Sequence, residues 1–101
     1  MDEKKELEEI RKELKDALEY KRLFGLSGVK SRRFTETAIS MLDALKDKED
    51  IYIFELRAVE VFLNKALNHT STRHYAKTAR NKFDDAHQRL KTLIENKEKN
   101  A

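Results

Sequence analysis

Apolar residues recur along this chain at spacings of three and four. Leu7, Ile10, Leu14 and Ala17, with Phe24 beyond Lys21, fall on one face of a helix, and Leu18 widens the stripe. The pattern predicts a first helix over about 3–24. Its other face carries Glu and Lys at helical spacing, Glu8 with Lys12 and Lys12 with Asp16 among them, pairs that support a solvated helix. The chain's two glycines both fall in Phe24-Gly25-Leu26-Ser27-Gly28, which ends that helix. Ser27 or Ser31 is then placed to cap a second helix, about 30–46, turning Phe34, Ala38, Met41, Leu42 and Leu45 inward.

Asp47-Lys48-Glu49-Asp50 offers an N-cap acid and first-turn carboxylates for a third helix over about 49–67. Ile51, Phe54, Leu56, Ala58, Val59, Val61, Phe62, Leu63 and Ala66 occupy more than one stripe there, which predicts the central, most buried helix. Ile51-Tyr52-Ile53-Phe54 has strand-like composition, but a lone strand would have nothing to pair with. Residues 68–72 read as a polar connector whose Ser71 or Thr72 caps a fourth helix over about 72–96. In it Tyr75, Ala79, Phe83, Ala86, Leu90 and Leu93 repeat at 4,4,3,4,3, and 97–101 read as a frayed tail. The expected fold class is all-α: a small four-helix bundle with long first and last helices, in a single domain over 1–101.

Composition narrows the chemistry. Of 101 residues 41% are charged and 39% hydrophobic, so burial must be concentrated on narrow stripes. With no cysteine there is neither a disulfide framework nor a cysteine zinc site, in keeping with a cytoplasmic setting. The N-terminal residues lack the apolar core of a signal peptide, and no uncharged run approaches a bilayer span, so no membrane association is expected. His69 and His74 have no Glu-x-x-His or His-Glu-x-x-His context, and nothing resembles a phosphate loop, a nucleophile elbow or a dinucleotide fold. No catalytic residue, metal, cofactor or small-molecule substrate is therefore assigned.

The net charge is +3, and residues 69–101 carry 8 bases against 4 acids, so the positive excess sits in the last third. Arg73, Lys77, Arg80 and Lys91 project to one side of the fourth helix, interrupted by Asp84. Lys30, Arg32 and Arg33 extend that basic flank if the fold brings them near, giving a candidate macromolecule-binding surface that would neutralise phosphates. The plain alternative is that these cations face the acids of the first helix or simply solvate the surface. The segment 26–34 has the small turn and basic start of a recognition helix, but the helix before it is too long for a helix-turn-helix.

Arg80-Asn81 followed by His87 resembles the Arg, polar residue, His motif of the HEPN family, helical-bundle dimers among which many members cleave RNA. The resemblance covers eight residues, with the longest gap that family tolerates. It implies that Arg80 and His87 hold or polarise a phosphate and act as acid or base. The residues taken alone make His87 a boundary histidine paired with Asp84 one turn earlier.

Three functions are thus expected in order. The first is a non-enzymatic helical protein, of an immunity, adaptor or regulatory kind, that binds a protein partner or forms a homodimer through a helical face. The alternative is a nucleic-acid-binding module using the basic flank, and the third is a HEPN-like ribonuclease.

Overall fold

The four expected helices form, as α1 (Glu3–Leu23), α2 (Val29–Leu45), α3 (Ile53–Asn68) and α4 (Lys77–Lys99), with a 3-10 turn at His74–Ala76 leading into the last. The computed structural model describes residues 2–23 and 28–100, the side chains of 21–23 excepted. The expected roles of Phe24 in the first stripe and of Ser27 as a cap fall outside the described residues, as does Gly25. The fold is all-α, with 84% of the described residues helical and no strand among them.

Each helix packs on the next in chain order, and α1 closes the ring against α4. The body measures 41 × 22 × 19 Å. α1 buries Leu7, Ile10, Leu14 and Ala17, as its spacing requires, and leaves Leu18 half-buried. α4 buries Ala79, Phe83, Ala86, Leu90 and Leu93, with Ile94 beside them. In α2, Ala38, Leu42 and Leu45 point inward with Ile39, while Phe34 and Met41 stay half-buried at the rim.

The third helix departs from expectation at its start and in its burial. It begins at Ile53, capped by Tyr52, and none of Asp47, Glu49 or Asp50 caps it. Ile51, 4% exposed, is drawn into the core from the connector, so the backbone stays extended through Tyr52 and the helix starts later. Glu55 supplies the reciprocal cap, accepting the Tyr52 N–H at 3.0 Å. Lys4 of α1 reinforces this end by donating to the carbonyls of Leu45, Lys46 and Lys48. Nor is α3 the most buried helix. It buries Leu56, Val59, Leu63 and Ala66, whereas α4 buries six residues, and α3 leaves Phe54 and Val61 exposed.

At the opposite end Gly28 caps α2 through its backbone at φ −58°, a value open to any residue. Ser31 is not a cap; it is fully buried in the first turn of α2. Its hydroxyl donates to the Ala66 carbonyl at 3.0 Å and meets the Thr70 hydroxyl at 2.9 Å, while Thr70 reaches the same carbonyl at 2.7 Å. Two hydroxyl protons make two hydrogen bonds at a time among these three contacts, and every such arrangement ties the start of α2 to the end of α3.

The fourth helix also starts later than its pattern suggests. Ser71 accepts the Arg73 N–H at 3.1 Å, and neither Ser71 nor Thr72 caps the helix. The tighter 3-10 turn shifts the phase of the stripe, so Ala76 takes the buried position and Tyr75, expected inside, is 49% exposed. The far end is helical to Lys99 rather than frayed from 97, because Lys97 pairs with Glu3 at 3.1 Å and Glu98 with Arg57 at 3.0 Å.

Candidate interaction surfaces

The start of α2, the end of α3, the 69–73 connector and the start of α4 meet at one end of the bundle. Ser31 bonds to Thr70, and Thr70 is three residues from Arg73, a reach of at most about 10 Å. Lys30, Arg32, Arg33, Arg73 and Lys77 therefore gather at this connector end, Arg32 half-buried and the others exposed. The two remaining members of the expected flank do not join them. Arg80 turns its guanidinium inward, donating to the carbonyls of Ser71 at 2.6 Å and Arg73 at 2.9 Å, and so holds the connector against α4. Lys91 lies fourteen residues beyond Lys77, about 21 Å along the helix.

Other cations of α4 do face the acids of α1. Arg89 bonds to Glu13 at 2.8 Å and approaches Glu6 at 3.6 Å, Lys97 meets Glu3, and Lys82 lies 3.9 Å from Asp16. The hydrogen bond that Arg89 donates to Glu13 raises the Arg89 pKa above its usual value, with the charges of Glu13 and Glu6 adding to it. Elsewhere Arg11 pairs with Asp43 and Lys48 with Glu55, whose pKa is lowered chiefly by that lysine and next by the Tyr52 N–H. Among the described residues, Lys30, Arg32, Arg33, Arg73 and Lys77 form no ion pair with any carboxylate. Lys65, their neighbour on α3, rests over the rings of Phe34 and Phe62, and His69 lies against Phe34 with centroids 5.4 Å apart. The acids nearest in sequence, Glu36 and Asp84, stand one to two turns further in and are exposed.

The pair carrying the HEPN resemblance does not converge. Arg80 is committed to the connector carbonyls, and His87 bonds through Nε2 to Glu60 of α3 at 3.1 Å instead of to Asp84. Seven residues separate Arg80 and His87, about 10 Å along one helix, and each faces a different protein partner.

A second surface lies near the other end and was not singled out by sequence. Phe54 is 71% exposed and stacks on Tyr52, itself 54% exposed, with centroids 5.8 Å apart and planes 7° from parallel. The pair stands as a ridge between two grooves. One, about 720 Å³, runs between α3, α4 and the start of α1, past Leu93, Asn96 and Lys97. The other, about 220 Å³, is lined by Met41, Ala44, Leu45 and Ala58 between α2 and α3. Val61, 49% exposed, continues the apolar line of Phe54 and Ala58 at helical spacing. The signal was present in the surplus of apolar positions on α3, more than one stripe can bury; what sequence could not supply was which stripe stays outside.

Among the described residues no group of three or more His, Asp or Glu side chains is placed to hold a metal, and no helix is long and apolar enough to cross a membrane. No protein-family model, curated protein or solved structure matches the chain.

Proposed function

We propose that this chain is a non-enzymatic helical binding protein that engages another protein, a second copy of itself included, through the face around Phe54. The observation that carries this reading is a large aromatic left 71% exposed on a ridge between two apolar-lined grooves, in a chain that has few hydrophobic residues to spare. An amphipathic helix laid along the groove between α2 and α3 would cover Phe54 and Ala58 and recover about 25 cal/mol for each Å² of apolar surface removed from water. The bundle's long face, 41 × 22 Å, is large enough for the roughly 800 Å² per partner of a standard interface. An immunity, adaptor or regulatory role suits such a module. A non-enzymatic reading is supported over a ribonuclease by the separate commitments of Arg80 and His87.

The test is site-specific photocrosslinking in cells, with the probe at position 54 and, as control, at exposed Gln88 on α4. A discrete adduct formed from position 54 and absent from 88 supports the reading, and an adduct of twice the chain mass makes the partner a second copy. No adduct from position 54, or the same smear from both, sinks it.

A further inference from the structure

We propose that the connector end is a second binding site, for single-stranded nucleic acid, distinct from the Phe54 face. Three observations converge on it. Lys30, Arg32, Arg33, Arg73 and Lys77 come together from three chain segments, and none has a carboxylate partner among the described residues, whereas Lys82, Arg89 and Lys97 of the same bundle are each matched to an acid on α1. Lys5, Lys12, Lys15, Lys46, Lys91 and Lys99 also lack a carboxylate partner among the described residues; what sets the connector end apart is that five such cations share it. The arrangement fits a polyanion, which releases condensed counterions when such groups meet its phosphates.

Tyr75 narrows the class of ligand. The 3-10 turn rotates it out of the core to 49% exposure, two residues from Arg73 on one side and from Lys77 on the other. An exposed ring set between unpaired cations is the combination that stacks an unpaired base while its backbone is held. Val29, 64% exposed beside Lys30, adds apolar surface on the α2 side. A base inside a duplex cannot reach such a ring. Arg80 positions the site: by holding the Ser71 and Arg73 carbonyls it fixes the connector from which Arg73 and Tyr75 project.

The experiment is fluorescence anisotropy of the full chain with labelled twelve-nucleotide oligo-dT and oligo-rU, and with a duplex of equal length, at about 50 and 200 mM salt. Three to five phosphate contacts on a single strand predict a salt slope of about −2 to −3.5, a loss of about 20- to 130-fold in affinity over that range. Replacing Lys30, Arg73 and Lys77 together by Gln should flatten the slope by about 2, while Lys91→Gln, the same chemical change about 21 Å away, should leave it nearly intact. Tyr75→Ala should weaken single-strand binding by about 5- to 150-fold and Tyr75→Phe should restore it. All of these positions except the reference lysine lie at one end and all are exposed, so circular dichroism should be unchanged and loss of fold is separable from loss of binding. No single-strand binding at the lower salt overturns the proposal. So does binding that survives the triple variant, binding indifferent to Tyr75→Ala, or preference for the duplex. Capture by phosphatidylserine vesicles without oligonucleotide binding would give the end to a lipid surface and overturn it equally.

Discussion

At one end of the bundle α1 and α3 begin, with Glu3, Glu6 and Glu55 in their first turns; at the other α2 and α4 begin, with no acid in theirs and with Lys30, Arg32 and Lys77 close by. A helix start carries about half a positive charge, so the first end complements its backbone and the second opposes it. Ion pairing follows the same division. Glu3, Glu6 and Glu55 each meet a cation on another segment, while the cations of the connector end meet no carboxylate among the described residues. The two ends are thus built differently: acids neutralise the helix starts at one, while at the other buried hydroxyls tie α2 to α3 and leave the helix starts without a side-chain cap. The second end therefore keeps its cations available for the ligand proposed above, at the cost of the stability that first-turn acids would add.

The largest expected effect breaks the device that holds the connector end together. Ser31→Ala removes the link from α2 to the Ala66 carbonyl and Thr70, and should cost about 1 to 3 kcal/mol in denaturant unfolding. A loss under about 0.5 kcal/mol would show that packing alone joins those segments.

A smaller effect, of opposite sign, tests the electrostatic half of the comparison. Lys30→Glu and Lys77→Glu each place an acid at a helix start that lacks one, and should raise stability by about 0.3 to 1 kcal/mol at low salt. The gain should shrink as salt is added. If both variants are less stable than the parent, the connector end is not electrostatically frustrated and the contrast fails.

The smallest effect concerns pH at the acid-capped end. Because the folded-state pKa of Glu55 is lowered, by Lys48 first and the Tyr52 N–H second, its contribution is fully present above the ordinary value of 4.5 and is lost as pH falls through the lowered value. Glu55→Gln should therefore be less stable than the parent at neutral pH, and the two unfolding curves should converge on acidification below about 4.5. A difference that persists unchanged at acid pH would assign the role of Glu55 to hydrogen bonding alone.

The helices were legible because their information is local. The repeat from Ala79 to Leu93 is set by 3.6 residues per turn, and the structure keeps it. Their starts were less legible because each depends on a contact distant in sequence. Ile51 delays α3 by entering a core built from other helices, and the 3-10 turn that exposes Tyr75 is held by Arg80 from the next element. The candidate site divides the same way. A basic excess in the last third could be counted, but only the fold separates Lys82, Arg89 and Lys97, which answer acids of α1, from Arg73 and Lys77, which do not. Phe54 and Val61 could be counted as a surplus on α3, though not assigned to the outside, because a helix wheel does not say how many neighbours the helix has.

The partnership of α1 with α4 also carries a consequence in time. Lys97 and Glu3 meet across 94 positions, and the α1 stripe of Leu7, Ile10, Leu14 and Ala17 is sealed by a helix translated after the other three. During synthesis α2 and α3 can pair early, yet α1 must wait for α4 with part of its apolar face unsealed. The nascent chain thus presents a greasy α1 until α4 has emerged, an interval in which a chaperone rather than the bundle would have to shield it.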